Sequence, residues 1–547
     1  MSDPQSQPAE RHDVVVVGAG FAGLYLLHRL RGMGLSVRVY ERAEGVGGTW
    51  WWNRYPGARC DVESLQYSYS WDPELERDWT WSEKYAAQPE IQAYAEFVAE
   101  RHDLKRDIRF RTSVEGAQWD EAAGLWRIAT SAGPAEARHL VLATGCLSST
   151  SLPDIPGRDA FRGETYHTGL WPHEGVDFTG KKVAVIGTGS SAIQAIPIIA
   201  AQARELAVHQ RTPNFSIPAR NAPLTDAQRA EWAERSAERR EWARANTRNA
   251  IVTTLPEKPV LEATPEEREA EFRRRWESGG ITFSAAFNDL ALDPEANAYA
   301  AEFVRERIRE IVRDPATAEA LCPTDYPIFT KRICVDTDYF ETFNLPHVRL
   351  VNLRETPLET VTEAGIRTSA GEEAYDAIVY ATGFDAMTGA ILAIDPVGRG
   401  GRRMSEAWAE GPKAYLGLLS AGFPNLFLVT GPGSPSVLTN MIVSIEHHVE
   451  MICEQLSRLA ARGATRIEAD PQAQEDWVAH VNARAAATLY PRAASWYMGA
   501  NIPGKPRVFM PYIGQDEYRR QVAALAERDW PGLTLSSGRA ASDAAAG

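Results

Sequence analysis

Two glycine-rich turns of the same design stand far apart in the chain. The first follows an apolar run ending at Val17 and carries Gly18, Gly20 and Gly23, whereas the second follows Ile186 and reads GTGSS. In the first turn, one glycine makes the tight bend, the next lets the backbone approach a phosphate, and the third lets the following helix pack on the strand. The helix N-terminus attracts the pyrophosphate. Two such turns predict two bound dinucleotides with electron transfer between them; glycines that serve only packing are the alternative.

The residue at the end of the following strand indicates which dinucleotide each turn prefers. Glu41 lies beyond the first turn at the position where a carboxylate accepts the ribose hydroxyls. The second turn has no acid there, and Arg211 and Thr212 stand in its place. A guanidinium binds a 2′-phosphate through charge-assisted hydrogen bonds, whereas a carboxylate repels it. We therefore predict NADPH rather than NADH at the second turn; an ordinary surface charge at Arg211 is the alternative.

Two aromatic cassettes accompany the turns. GGTWWWNRYPGARCD spans residues 47–61, and FRGETYHTGLWP spans residues 161–172. Three consecutive tryptophans cannot all face one core on a helix or a strand, so some must pack elsewhere, and a flat flavin ring is a candidate. An aromatic plug between domains is the alternative. His167 stands alone near apolar residues, and an isolated histidine of this kind is more often structural than catalytic.

The elements that must position these residues alternate between strand and helix. A continuous apolar strand at residues 13–17, a helix at about 22–31 and a strand at 36–41 form one βαβ unit, which repeats at 182–186, at a helix through 199 and at 205–211. The runs at 139–145 and 377–383 both end in Ala-Thr-Gly. Each is predicted to be the last strand of its half and to deliver the chain to the other half. The predicted fold class is α/β with two Rossmann-like dinucleotide-binding domains.

Composition changes inside the second half. From about Pro223 to Pro323 the chain is rich in Glu, Arg, Ala and Trp at helical spacing, and residues 264–267 (TPEE) are typical of a capped helix start. We expect an inserted helical subdomain here. The predicted division is a first dinucleotide-binding domain made of residues 1–149 and 385–547, a second dinucleotide-binding domain made of residues 150–218 and 327–384, and a helical subdomain at 219–326, with a disordered Ala/Ser/Gly-rich tail from Ser536.

Bulk composition excludes several partners and chemistries. The 547 residues suffice for two or three domains. A net charge of −15 argues against nucleic acid and anionic membranes as partners, and no apolar run is long enough for a membrane span. The five cysteines are scattered without a CxxC pair, which disfavours a disulfide reductase and favours a reducing, cytoplasmic location. We predict no metal site, and a monomer or weak homo-oligomer.

The two cassettes also carry a family resemblance. The pattern FxGxxxHxxxWP at residues 161–172 resembles the fingerprint of the Baeyer–Villiger monooxygenases, and residues 47–61 are similar to that family's second conserved stretch. The similarity runs from about Asp13 to about Gly514. It is strongest with the phenylacetone and steroid monooxygenase branch, through Lys331-Arg332, GPGSPS at 431–436 and residues 495–505.

The resemblance implies a flavoprotein that uses NADPH and O₂ to convert ketones to esters or lactones. In this family FAD occupies the first βαβ half, NADPH occupies the second, and NADPH reduces the flavin. Dioxygen then adds at the flavin C4a carbon, and the resulting peroxide attacks a ketone, which is an aryl, cyclic or steroid ketone in this branch. A flavin-containing monooxygenase acting on amines or sulfides is the alternative, but its fingerprint lacks the end that Trp171-Pro172 provide. A flavin-bearing redox sensor without oxygenating turnover is a further alternative. Such a protein would lack Arg332 or Asp61, and both are present here.

The resemblance further assigns roles to single residues. Arg332 matches the active-site cation that faces the negative peroxide and tetrahedral adduct, and Asp61 matches the carboxylate that holds it. The implied FAD contacts are Gly18, Gly20, Phe21, Gly23, Glu41, Gly48, Thr49, Trp50, Asp61, Tyr67 and Met441. The implied NADP contacts are Arg59, Gly187, Thr188, Gly189, Ser190, Ser191, Gln194, Arg211, Thr212, Lys331, Arg332 and Trp496, the last in a mobile loop near 490–506. His167 and Trp171 are expected to couple the domains, and Cys146, Leu147, Ser436, Val437 and Leu438 to line the substrate pocket.

Overall fold

The structure is a computed structural model that describes residues 9–537. Its strands are β1 (Glu10–Val17), β2 (Val37–Tyr40), β3 (Ile108–Arg109), β4 (Val114–Asp120), β5 (Leu125–Thr130), β6 (Gly133–Leu142), β7 (Glu164–His167), β8 (Lys182–Ile186), β9 (Glu205–Gln210), β10 (Ser216–Pro218), β11 (Cys334–Asp336), β12 (Val348–Asn352), β13 (Leu358–Val361), β14 (Gly365–Thr368), β15 (Gly371–Ala374), β16 (Ala377–Tyr380), β17 (Leu426–Leu428), β18 (Arg466–Ala469) and β19 (Leu533–Ser536). Its α-helices are α1 (Phe21–Gly32), α2 (Thr49–Trp52), α3 (Pro73–Asp78), α4 (Gln88–Arg101), α5 (Ser190–Ala200), α6 (Asp226–Asn246), α7 (Pro265–Ser278), α8 (Pro294–Ile311), α9 (Pro315–Leu321), α10 (Tyr339–Thr342), α11 (Gly389–Ile394), α12 (Met404–Ala407), α13 (Met441–Ala461), α14 (Pro471–Ala486) and α15 (Gln515–Glu527).

The first sheet contains the first glycine turn. Its strand order is β3-β2-β1-β6-β5-β4, and β17 pairs with β6. Strand β1 runs parallel to both β2 and β6. Its side chains alternate between two apolar clusters, with Val14 and Val16 in one and Val15 and Val17 in the other, so the strand is buried on both faces. Because β17 comes from the C-terminal third of the chain, that third rejoins the first sheet.

The second sheet repeats the arrangement around the second glycine turn. Its five strands lie in the order β12-β9-β8-β16-β7, and all their pairings are parallel. The three-stranded sheet β13-β14-β15 is antiparallel, and Val361 and Ile366 from it pack with Ala184 and Ile186 of β8. The two parallel sheets and their helices give the α/β architecture that the sequence predicts.

Two segments join the sheets and lie against each other. We call residues 143–151 and 381–388 the crossing segments; they follow β6 and β16, respectively. Ser151 N donates to the Gly383 carbonyl over 2.9 Å, Asp385 N to the Ser149 carbonyl over 2.8 Å, and Met387 N to the Cys146 carbonyl over 2.8 Å. The second sheet is therefore attached to the first through one paired ribbon of backbone.

A group of helices, α6 to α9, lies between β10 and β11 in the chain. Helix α7 starts with the capping box expected at Thr264, in which the Thr264 hydroxyl and the Glu267 carboxylate bond each other's backbone N–H. Helix α6 docks on the unit of the first sheet: Arg240 donates to the Leu65 carbonyl over 2.7 Å, and Arg244 donates to Glu446 of α13 over 2.9 Å. The domain boundaries within this arrangement stay predictions.

The C-terminal region ends in a short sheet rather than at the predicted start of a disordered tail. Ser536 closes β19, which pairs antiparallel with β18. The rest of the predicted tail, from residue 538, lies outside the described residues, as does the polar N-terminal segment up to residue 8. Within residues 9–537, no helix combines the length and apolar character needed to cross a membrane.

Candidate active site

The first glycine turn packs face to face with the start of the tryptophan cassette. A Cβ at Gly23 would lie 1.9 Å from the Gly18 carbonyl oxygen, so glycine is required there for α1 to pack against the turn. A Cβ at Gly48 would lie 2.8 Å from Cα of Gly20, which leaves the two backbones in direct contact. Glu41 is buried beside the turn and accepts hydrogen bonds from Ala19 N over 2.7 Å and Ala43 N over 2.8 Å. Backbone N–H groups, the α1 N-terminus and this carboxylate suit FAD.

The three consecutive tryptophans point to three different environments. Trp50 is buried and donates from Nε1 to the Tyr67 hydroxyl over 3.1 Å. The Trp51 ring lies 4.8 Å from the ring of His173, which follows the second cassette, whereas Trp52 packs under the Arg42 guanidinium. Thr49, the first residue of α2, is exposed. The first cassette therefore contacts the residue that follows the second cassette, and Trp50 packs with Tyr67 beside the first turn.

The middle glycine of the second turn has free space beside it, whereas the middle glycine of the first turn contacts the tryptophan cassette. A Cβ at Gly189 would meet no other atom within 4 Å, so packing within the protein does not require glycine there. Close approach of a phosphate is the remaining physical reason for that residue. Ser190 begins α5, and the Thr188 hydroxyl donates to the Thr212 carbonyl over 2.7 Å, which ties the turn to the segment after β9.

Arg211 and Lys331 lie close together without acidic partners. No carboxylate among residues 9–537 forms an ion pair with either side chain. Burial and the positive charge of Arg211 lower the pKa of Lys331, whose ammonium group packs over the Tyr326 ring at 4.2 Å. Two neighbouring cations that repel each other form a site for an anion with more than one negative charge, and the 2′-phosphate of NADP fits it.

Arg59 and Gln194 connect the first cassette to α5. The Gln194 amide donates to the Arg59 carbonyl over 3.1 Å and accepts from the Tyr55 hydroxyl over 2.8 Å. The guanidinium of Arg59 pairs with Glu83 at 2.7 Å. Gln194 thus lies between the two sheets, where a nicotinamide cofactor would extend toward the flavin, whereas the Arg59 side chain already has a protein partner.

The structure brings Arg332 and Asp61 together as a bidentate pair. Arg332 Nε donates to Asp61 Oδ2 over 2.8 Å, and Nη2 donates to Oδ1 over 2.7 Å. Nη1 donates to the Val437 carbonyl over 2.8 Å. Burial lowers the pKa of Arg332, but the charge and hydrogen bonds of Asp61 outweigh burial and raise it, so the guanidinium is positively charged at every physiological pH.

Tyr497 is a member of this site that the sequence did not single out. It is buried in the predicted mobile loop, its ring lies 4.3 Å from that of Trp496, and its hydroxyl interacts with Arg332. The loop is anchored on a crossing segment, since Lys505 Nζ bonds to Asp385 Oδ1 at 2.5 Å and Asn501 donates to the Phe384 carbonyl over 2.7 Å. The only sequence signal that could have identified Tyr497 is its position next to Trp496 in the predicted mobile loop.

The predicted substrate-pocket residues form a cluster next to Arg332. The turn 436–438 packs against the crossing segments, where Cys146 Sγ lies 3.0 Å from Ser436 Oγ. Leu147 and Leu438 are half-buried at the same place, and Met441 begins α13 one turn further on. Ser436 is completely buried, and its hydroxyl contacts Cys146 and Met387.

His167 and Trp171 are structural in this arrangement. His167 ends β7; its Nδ1 accepts from Gly169 N over 3.0 Å, and Nε2 lies 3.4 Å from the Thr382 hydroxyl of a crossing segment. Burial lowers the pKa of His167, so the ring is neutral. The Trp171 ring packs 5.4 Å from Tyr166 of β7. These contacts connect the second cassette to the join between the sheets and place no proton donor at Arg332.

A cavity of about 560 Å³ lies away from these residues, between α9, β12 and the small sheet. Its polar side chains bond mainly to one another: Arg349 pairs with Glu373, and Asn352 donates to Glu355 over 2.9 Å. The residues that the sequence predicts for cofactors and substrate instead converge between the two parallel sheets. Among the described residues, no cluster of histidine, cysteine and carboxylate groups could hold a metal, and all five cysteines are free thiols.

Comparison with known proteins agrees with this geometry. Residues 12–270 match the family model of pyridine nucleotide-disulphide oxidoreductases. The chain is 41% identical to a phenazine N-monooxygenase from Lysobacter antibioticus, covering 96% of this chain and 97% of the relative. It is also 41% identical to a Baeyer–Villiger monooxygenase from Pseudooceanicola batsensis, covering 95% of this chain and 96% of the relative.

Solved structures extend the comparison to the fold. The structure described as an oxidised steroid monooxygenase bound to NADP has a TM-score of 0.92 and 52% sequence identity, and the match covers 96% of this chain and 100% of that one. The chain therefore belongs to the Baeyer–Villiger monooxygenases, FAD-dependent oxidoreductases that use NADPH and O₂ to convert ketones to esters or lactones.

Proposed function

We propose that this enzyme oxidises aryl, cyclic or steroid ketones and that Arg332 is the cation that stabilises negative oxygen at the reacting carbonyl. The observation that supports this role is the hydrogen bonding of the guanidinium. Of its five N–H groups, Asp61 accepts two and the Val437 carbonyl accepts one, so two are left for Tyr497 and a ligand. Donors held in advance by the protein stabilise developing charge without the cost of reorganisation.

The residues around the two turns fit the two cofactors. When bound, FAD activates dioxygen and NADPH supplies the electrons. Glu41 would accept the ribose hydroxyls of FAD, and the backbone N–H groups at the N-terminus of α1 would bind its pyrophosphate. Arg211 and Lys331 would bind the 2′-phosphate that distinguishes NADPH from NADH.

Burial of the site strengthens the action of Arg332. Tyr497 and Val437 are buried on two sides of the guanidinium, and they keep bulk water from that part of it. A charge in such surroundings interacts more strongly with an anion than it would in water. The bidentate pair aligns one edge of the guanidinium with the Asp61 carboxylate.

Oxidation of a ring nitrogen is the second candidate reaction. It is favoured by one specific observation, the 41% identity to a phenazine N-monooxygenase over almost the whole of both chains. Transfer of an oxygen atom to a nitrogen lone pair would form no tetrahedral oxyanion at a carbonyl. N-oxidation should therefore depend less on Arg332 than ester formation does.

One incubation separates the two reactions. Purified holoenzyme is given NADPH, isotopically labelled dioxygen and, in turn, an aryl ketone, a cyclic ketone, a steroid ketone and phenazine. We expect one labelled oxygen atom in a ketone product that base hydrolyses, which identifies an ester or lactone. A product formed only from phenazine and resistant to base would instead establish N-oxidation, and NADPH consumption without any oxygenated product would contradict both.

The cellular setting is also part of the proposal. Five free thiols and a requirement for NADPH favour work in the reducing cytoplasm. We propose that the enzyme acts as a monomer or weak homo-oligomer, with residues 1–149 and 385–547 holding FAD, 150–218 and 327–384 holding NADP, and 219–326 as the helical subdomain. Sedimentation of the holoenzyme across a concentration series tests the oligomeric state.

A further inference from the structure

Three buried residues near Arg332 have a left-handed backbone although none is glycine. Met387, Thr430 and Ser436 have φ values of 67°, 52° and 45°, respectively. This conformation is uncommon for any side chain and a clear outlier for a β-branched one such as threonine. Such strain persists only where surrounding structure imposes it, and it concentrates at functional sites. Thr430 and Ser436 contact the Cys146 thiol, and the Met387 side chain contacts Ser436.

We call Cys146, Met387, Thr430 and Ser436 the clasp. Cys146 Sγ lies 3.0 Å from Ser436 Oγ and 3.4 Å from the Thr430 carbonyl. Ser436 Oγ donates toward Met387 Sδ over 3.6 Å. Burial raises the pKa of the Cys146 thiol, so it remains protonated and able to donate a hydrogen bond. All four side chains are buried, and the Thr430 hydroxyl also lies 3.5 Å from Cys146 Sγ.

The clasp connects three parts of the chain that are distant in sequence. Cys146 belongs to the crossing segment that leaves the first sheet, and Met387 belongs to the segment that returns to it. Their backbones also bond directly, from Met387 N to the Cys146 carbonyl over 2.8 Å. Ser436 is the first residue of the turn 436–438, and the next residue, Val437, provides the carbonyl that accepts from Arg332 over 2.8 Å.

We propose that Cys146 and Ser436 are positioning residues for Arg332. By fixing the turn 436–438 to both crossing segments, they keep the Val437 carbonyl where it orients the guanidinium. Asp61 alone binds one edge of Arg332, and the Val437 carbonyl holds a second edge. Without the clasp, the remaining N–H groups lose their fixed direction. This inference rests on the role of Arg332 proposed above.

The test compares holoenzyme variants by the amount of ester formed for each NADPH consumed, which we call the ester share. For Ser436→Ala we expect that share to fall at least fivefold, with hydrogen peroxide making up the difference, while the rate of flavin reduction by NADPH changes less than twofold. Cys146→Ala should act in the same direction. Cys146→Ser keeps a donor and an acceptor at the same place and should retain most of the wild-type ester share.

Ser434→Ala is the matched control. Ser434 is equally buried and lies in the same segment, but its hydroxyl donates to the Gly431 carbonyl over 2.7 Å and does not touch the clasp. This variant loses a buried hydroxyl as Ser436→Ala does, yet the ester share should remain at the wild-type value. An equal loss in Ser434→Ala would mean that general packing is responsible and would overturn the proposal.

Hydrogen–deuterium exchange of the oxidised, substrate-free holoenzyme tests the clasp without turnover. Peptides covering 144–148 and 385–389 should exchange faster in Ser436→Ala and Cys146→Ala than in the wild type and in Ser434→Ala. Unchanged exchange there, or a wild-type ester share in both clasp variants, would overturn the proposal. If the wild-type enzyme oxidised no ketone at all, the proposed function would fail instead, and exchange would still decide whether the clasp joins these segments.

Discussion

Replacing Arg332 by alanine removes the fixed positive charge from the site and shows how much that charge contributes to ester formation. Asp61 and the Val437 carbonyl accept three of the five N–H groups of Arg332. Tyr497 takes up one of the other two at most, so at least one donor is available to an anion. One oxyanion donor contributes about 2.7–4 kcal/mol, or about 100- to 1000-fold in rate. We therefore expect Arg332→Ala to lower ester formation at least about 100-fold.

The same substitution leaves Asp61 without its cation. Removing one partner of a fully buried ion pair costs about 3–5 kcal/mol of unfolding free energy. The side chains of Arg332 and Asp61 keep 22% and 25% of their surface exposed, so solvent compensates part of this cost. Scaling for that exposure, we expect a loss of about 1–3 kcal/mol. The double variant Arg332→Ala/Asp61→Ala should recover most of the stability and none of the ester formation.

Two measurements separate the effects. Anaerobic mixing with NADPH should reduce the flavin of Arg332→Ala at a rate within a few-fold of the wild type, because Arg332 bonds to Asp61 and Val437 rather than to the second glycine turn. Aerobic incubation with a ketone should then consume NADPH with almost no ester. Ester formation by the folded variant at more than about a tenth of the wild-type rate would refute the reasoning, since one donor contributes about 100-fold or more.

Three further substitutions test other parts of the molecule. Arg211→Ala should weaken NADPH binding about 10- to 100-fold relative to NADH, as for loss of a charge-assisted hydrogen bond, and an unchanged NADPH/NADH ratio in titrations would contradict this. Gly189→Ala should leave the melting temperature unchanged, because the added Cβ meets no other protein atom. The NADP⁺ dissociation constant should rise; an unchanged constant would mean that no phosphate of NADP⁺ binds at this turn. Asp336→Asn tests a buried carboxyl that forms no ion pair with any residue from 9 to 537: burial raises its pKa from 3.8 to about 6. The folded state therefore binds the proton more tightly, and stability falls by about 3 kcal/mol as pH rises from 4 to above 6. The variant should be more stable than wild type at pH 8 and should lose that advantage below pH 4 in calorimetric melts; a difference independent of pH would contradict it.

The repeating βαβ units could be predicted from sequence because their signals are local. The second strand of the repeat, predicted at 205–211, is observed at Glu205–Gln210, since a parallel strand buried on both faces is marked by its own apolar residues. The first strand starts at Glu10, earlier than the predicted residue 13. Residues Glu10 to His12 are not apolar, but they pair with Ala135 to Ala137 of the long neighbour β6, and no local pattern contains that pairing.

The sequence predicts the candidate site best at its charged residues, because a charge of one sign needs a partner or ligand of the other sign. Arg332 with Asp61, and Arg211 with Lys331, combine charges that only particular ligands or partners can satisfy, and the resemblance supplied their spacing. The guanidinium of Arg59 was expected at NADP, yet Glu83 binds it, because a folded chain brings in carboxylates from distant loops. The clasp has no signal in the sequence, since left-handed φ at residues such as Thr430 depends on tertiary contacts alone.

The paired ribbon between the sheets has a consequence for how such enzymes diversify. The chain enters and leaves the half that contains the second glycine turn at neighbouring positions, because Ser151 N lies 2.9 Å from the Gly383 carbonyl oxygen. A module whose two ends are neighbours can be exchanged as one piece without rethreading the host. Recombination at these two neighbouring ends would change coenzyme preference, but the exchanged piece carries Arg332, so an incoming module must also supply an arginine to Asp61.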